Sequence, residues 1–177
     1  MLNDTSIGIE IVNGGYTTGA SGFRTFPAFD NEQVKKVAAL VKDLANRYSI
    51  PPTNILAHSD IAPTRKQDPG PQFPWEKLYK DYQIGMWYDD ATKRSYADQL
   101  DADLHASQLL TPQFIFKYQT ALKTLGYGIE PSGTYDDTTK KTIEAFQFHF
   151  RPEKYDGLMD MESWAILQAL NQKYPAK

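Results

Sequence analysis

Five prolines fall between positions 51 and 71, and they restrict the folding of this chain more than any other feature. Each fixes its own φ at about −65°, removes an amide donor and pushes the residue before it toward extended backbone. Pro51 and Pro52 end any helix that precedes them. Pro63, Pro69 and Pro71 then stiffen a loop that reads NILAHSDIAPTRKQDPGP over residues 54–71. An apolar run ends there in His58, and Lys66 and Asp68 follow within ten residues. Such a loop suits chemistry that needs side chains held in place before a ligand arrives.

Elements on either side of the loop follow from hydrophobic period. Residues 7–12 alternate, with Ile7, Ile9 and Ile11 on one side and Gly8, Glu10 and Val12 on the other, which predicts a strand. Glu10 stands between Gly8 and Val12, so a ligand has room beside it. Residues 13–29 are rich in Gly, Ser and Thr and predict a long surface loop, a kind that is often functional. Asp30 with Gln33 forms a capping-box pattern, and Val34, Val37, Ala38, Val41, Leu44, Ala45 and Tyr48 recur at helical spacing. Lys35, Lys36, Lys42 and Asp43 take the opposite face, so a surface helix packed on a sheet is expected. Residues 54–57 predict a short buried strand that delivers His58, and PWEKLYKDY a short helix.

The pattern changes further on. Residues 89–110 are polar and predict an irregular linker. Three helices are expected after it. The first opens at Pro112, carries Ile115, Tyr118, Leu122 and Leu125 on one stripe and stops at Gly126. The second follows Asp136 and groups Ile143, Phe146, Gln147 and Phe150, and the third starts near Asp160 and buries Trp164, Leu167 and Leu170. GYGIEPSGTYDD and YDGLMD lie between them, two turn-rich loops that suggest one loop–helix unit used twice. The expected fold is α/β over residues 1–88, a mixed β-sheet flanked by helices. A linker at 89–110 and a small all-α three-helix domain at 111–177 complete it.

Composition narrows the function. Hydrophobic residues make up 41% of the 177, enough for a packed core and too many for a disordered chain. A net charge of −3 with mixed signs gives no footprint for nucleic acid or an anionic membrane. No cysteine is present, so disulfides and thiolate metal sites are excluded. No run approaches the roughly 18 apolar residues of a membrane span, and MLNDTSIGIE lacks the basic and apolar regions of an export signal.

His58 and Asp68 are ligand types for zinc, whose catalytic sites commonly take three protein ligands and leave one position open. Lys66 would then aim its ammonium at a carbonyl oxygen under attack, and Glu10 would accept a proton from the attacking water. Plainer readings stand beside these. His58 can be a partly exposed histidine at a strand end, Glu10 a solvated strand residue, and Lys66 with Asp68 a surface ion pair. His105 in the linker and His149 in the helical domain are read as structural or solvated.

NDTSIGIEIVN together with ILAHSDIAPTRKQDPGPQFPW resembles the zinc-dependent N-acetylmuramoyl-L-alanine amidases of the type 2 family, nearest to those of the AmiD type. The resemblance implies that His58 and Asp68 ligate Zn2+, that Lys66 stabilises the transition state and that Glu10 is the catalytic acid/base. It also implies a peptidoglycan or muropeptide substrate and a cell-envelope, periplasmic location. YQTALKTLGYGIEPSGTYDDTTKKTIEAFQFHF, followed by YDGLMDMESWAIL, resembles a three-helix peptidoglycan-binding domain. Ser132-Gly133-Thr134-Tyr135 stands where Asp-Gly-x-Phe is more usual.

In that family a first zinc histidine lies on a strand upstream of SIGIE, ahead of where this sequence starts. Two protein ligands are therefore expected here instead of three, with weak zinc binding and little hydrolysis by these 177 residues alone. The missing neighbour would also leave a sheet edge open to a second chain or a dimer partner. The rival expectation is a non-catalytic peptidoglycan-binding module or inactive amidase fragment.

Overall fold

The computed structural model describes residues 4–22, 24–103 and 106–175. Helix α1 spans Asn31–Tyr48. The Asp30 carboxylate opens it, accepting from the amides of Glu32 and Gln33 at 2.9 and 3.1 Å. The second half of the expected capping box is absent: Gln33 donates instead to the carbonyl of Val12 at 2.6 Å and tethers the segment before it. Ser49 ends the helix in the left-handed conformation, and the prolines follow. Val34 and Ala38 are buried, and α1 packs on helix α3, Trp75–Tyr82, where a sheet was expected.

Residues 7–12 are extended but form no regular strand. Ile9 and Ile11 are half-buried while Gly8, Glu10 and Val12 are exposed, so the alternation is present in the side chains. A strand also needs a neighbour to complete its hydrogen-bond ladder, and no other described residue offers this segment a backbone–backbone hydrogen bond. Among the described residues, strands occur only as the hairpin β1, Thr17–Thr18, and β2, Arg24–Thr25, inside the expected loop. Thr17 stands opposite Thr25, and Thr18 opposite Arg24. The strand expected at 54–57 is likewise absent. Pro52–Asn54 form a single 3-10 turn, and His58 opens a short helix α2, His58–Ile61.

The expected linker is ordered. Asp90–Asp103 form helix α4, and Ala106–Leu110 a 3-10 turn. Polar composition hid this helix, because it is held against the last described helix in part by polar pairs. Lys93 pairs with Glu162 at 3.1 Å, and the Tyr96 hydroxyl donates to Gln172 at 2.9 Å.

Helices α5, Pro112–Leu125, α6, Asp137–Phe150, and α7, Met161–Lys173, fall where the sequence predicts them. The repeat is physical. Gln119 is buried and accepts from the amides of Ser132 and Gly133 while donating to Thr134 and Thr139. Gln147, also buried, does the same one unit later with Gly157, Leu158 and Ser163. Gly133 and Gly157 both sit at φ +74°, and a Cβ on either would press a carbonyl oxygen at 3.0 or 2.8 Å. The buried apolar residues form one cluster across both halves, joining Phe73, Trp75 and Leu78 to Tyr127, Phe146 and Phe150.

Candidate metal centre on the proline loop

The loop is built around α2. Amides at its start need acceptors, and one carboxylate and one backbone carbonyl supply them. The Asp60 side chain turns back to accept from the amide of Ala57 at 2.9 Å. The amide of Ser59 donates to the backbone carbonyl of Asp68 at 3.0 Å, which draws the two ends of the loop together. Arg65 and Lys66 close a turn on the Ala62 carbonyl, each at 2.9 Å.

The consequence is that His58 Nδ1 and Asp68 Oδ2 lie 2.9 Å apart. Both side chains remain reachable from solvent, at 47% and 60% exposure. A tetrahedral zinc with bonds of about 2.0 Å holds neighbouring ligand atoms about 3.3 Å apart. The pair is therefore within a few tenths of an ångström of sharing one ion, and its nitrogen and oxygen donors suit zinc. No third His, Cys, Asp or Glu joins them among the described residues.

The other two candidates are placed differently. Lys66 is half-buried two residues before Asp68, and its ammonium makes no ion pair among the described residues, so the expected surface pair with Asp68 is not formed. Glu10 is exposed on the extended segment and has no hydrogen bond to His58, Lys66 or Asp68. The structure thus brings His58 and Asp68 together and keeps Lys66 on the same loop. Glu10 shares no hydrogen bond or ion pair with them.

The hairpin region leans on the same loop. Gly70 is buried at φ +79°, and a Cβ there would meet the Phe26 ring at 2.5 Å. Phe26 in turn packs edge-on against Phe148 and Tyr155 of the helical half, with centroids 5.4 and 5.9 Å away. Arg24 completes the attachment through an ion pair with Glu144.

His149 and two residues that sequence reasoning did not single out, Asp60 and Tyr127, complete the surroundings. Asp60 accepts from the Tyr127 hydroxyl at 2.7 Å and bonds His149 Nδ1 at 2.7 Å. His149 is stacked between Trp75 and Phe150, both 4.0 Å away. Burial, with the Asp60 charge beside it, pushes the Tyr127 phenol well above its usual range, so it stays a donor. The signal was an acid two residues after a candidate ligand and a histidine inside an aromatic run. His149 is structural, as expected, and His105 lies outside the described residues.

Comparison with known proteins finds similar chains for both halves. Residues 1–71 match the N-acetylmuramoyl-L-alanine amidase family, and residues 113–167 match a peptidoglycan binding domain family. The chain thus carries one segment that matches each of these family models. Over 173 residues it is 41% identical to N-acetylmuramoyl-L-alanine amidase AmiD of Escherichia coli K12, covering 98% of this chain and 59% of that protein.

Solved structures agree. AmpDH3 from Pseudomonas aeruginosa superposes with a TM-score of 0.81 at 44% identity. A complex of E. coli AmiD with the substrate anhydro-N-acetylmuramic acid-L-Ala-D-gamma-Glu-L-Lys superposes with 0.83 at 38% identity. Each covers 99% of this chain, which spans 65% of either one. The α/β class with a helical C-terminal part holds by this likeness.

Proposed function

We propose that the protein hydrolyses the amide between the lactyl group of N-acetylmuramic acid and L-alanine in peptidoglycan or its fragments. The observation that carries this reading is the 2.9 Å approach of His58 Nδ1 to Asp68 Oδ2 on a loop fixed from both ends. These two residues would hold Zn2+, which when bound supplies Lewis acidity toward a carbonyl and toward water. Lys66 offers a positive charge to the oxyanion that forms on the lactyl carbonyl. Glu10 takes the proton of the attacking water and passes it to the alanine nitrogen as the C–N bond breaks. The products are a lactyl carboxylate and a free alanine amine.

Residues 1–88 act as the catalytic part and 111–177 as the wall-binding part, with 89–110 joining them. A periplasmic location fits the substrate, and no helix among the described residues is long and apolar enough to cross a membrane. The test uses the natural full-length protein with zinc and a muramoyl tripeptide, and mass spectrometry reads the released peptide. Release is expected. Glu10→Ala is expected to abolish it with metal content unchanged, and Lys66→Ala to lower kcat on the order of 10²–10³-fold. No release by zinc-loaded protein would overturn the hydrolytic reading in favour of a wall-binding module.

A second contact is suggested by residues 6–12, which make no backbone–backbone hydrogen bond to another described residue and present Val12 at 87% exposure. This edge is suited to a further strand, including one from a second copy. Light scattering of the 177-residue chain at rising concentration is expected to show association, and a monodisperse monomer would refute it.

A further inference from the structure

We propose that the wall-binding half positions the metal ligand of the catalytic half, with Asp60 as the positioning residue and Tyr127 and His149 as its anchors. This inference rests on the zinc reading of His58 and Asp68. Asp60 is in the first turn of α2, two residues after His58, and its carboxylate accounts for three contacts. One returns to the Ala57 amide at 2.9 Å and fixes the start of the helix that His58 opens. The other two leave the amidase segment, to the Tyr127 hydroxyl after α5 and to His149 Nδ1 on α6, both at 2.7 Å.

The site of these contacts is buried. The His149 and Asp60 side chains are 1% and 5% exposed. A hydrogen-bonded carboxylate in such surroundings has no water to replace a lost partner, so the three bonds fix its position closely. Trp75 and Phe150 clamp the faces of the imidazole and leave Nδ1 aimed at the carboxylate. The orientation of α2, and with it the direction of the His58 ring toward Asp68, is thus set by residues 67 and 89 positions away in sequence.

The test compares His149→Leu, His149→Asn, Tyr127→Phe and Glu144→Gln in the full chain. Leucine keeps bulk without a donor, and asparagine restores an N–H near the place of Nδ1. Glu144→Gln breaks the separate ion pair with Arg24, a control for loosening the halves without touching Asp60. NMR follows the His58 imidazole signals, titration follows zinc affinity, and denaturant unfolding checks that each chain is folded. His149→Leu is expected to move the His58 signals and to weaken zinc binding about tenfold, the lower range for loss of an outer partner.

His149→Asn is expected to recover both readouts, and Glu144→Gln to leave both at wild-type values. Folded His149→Leu with His58 signals and affinity like wild type would overturn the proposal. Should His149→Leu not fold, Tyr127→Phe is judged by the same two readouts. A wild-type chain that takes up no zinc would overturn the metal reading alone, and the His58 signals would then decide the positioning role.

Discussion

Gly70 shows how one residue can serve two surfaces. It lies two positions after Asp68, at φ +79°, under the ring of Phe26. Gly70→Ala must bear both a left-handed backbone and a clash, together about 2–4 kcal/mol. Gly126→Ala shares the positive φ, at +116°, but meets nothing within 4 Å, and is expected to cost about 1 kcal/mol. Urea unfolding of both variants checks the difference, and equal losses would show that Phe26 moves aside freely. At this scale the sequence was informative where chemistry is local. The loop motif brought His58, Lys66 and Asp68 onto one short segment, and its prolines explained why they stay there. Asp60 escaped notice because its partners, Tyr127 and His149, are distant in sequence and only packing brings them near.

Elements were legible where their own residues terminate them. Asp30, Pro112, Asp136 and Asp160 start helices at the expected places, and Gly126 ends one. Those that depend on a neighbour were not. Residues 7–12 alternate like a strand yet lack a ladder, and α4 has few apolar residues because α7 holds it partly through Lys93 and Tyr96.

The caps carry a pH signature. Burial alone would raise the Asp160 carboxyl, but hydrogen bonds from Arg151 and Lys154 outweigh it and hold it well below the ordinary carboxylate range. Hydrogen bonds from Thr139 lower Asp136 as well. A carboxyl lowered on folding stabilises fully above its unfolded value, 3.8 for Asp160, and that stability is lost as pH falls below it. Melting temperature is therefore expected to fall more steeply below about pH 4 in the wild type than in Asp160→Asn. Parallel curves would exclude Asp160 as a source of acid lability.

Across the whole molecule, two family segments share one apolar cluster. Trp75 touches Phe73 on one side and the imidazole of His149 on the other, and Phe146 and Phe150 continue the cluster. Neither half can lose its fold without exposing part of the other's interior, so calorimetry is expected to show one transition with equal calorimetric and van't Hoff enthalpies. Two resolved transitions would show that the interface contributes little. The sequence showed two patterns and a polar stretch between them, from which two independent bodies were the natural expectation. Period alone does not say which face meets which, so the contact of Trp75 with His149 was not visible in it.

The carboxylate of Asp60 has a bearing on how such two-segment chains can be recombined. Modules joined by a plain tether can be traded between proteins, since neither senses what it is tied to. A segment whose short helix is moored to a phenol and an imidazole on its companion would, on the positioning role proposed for Asp60, not accept a foreign companion that lacks them. Any chimera would have to carry that pair along, or replace the acid with a residue content without partners.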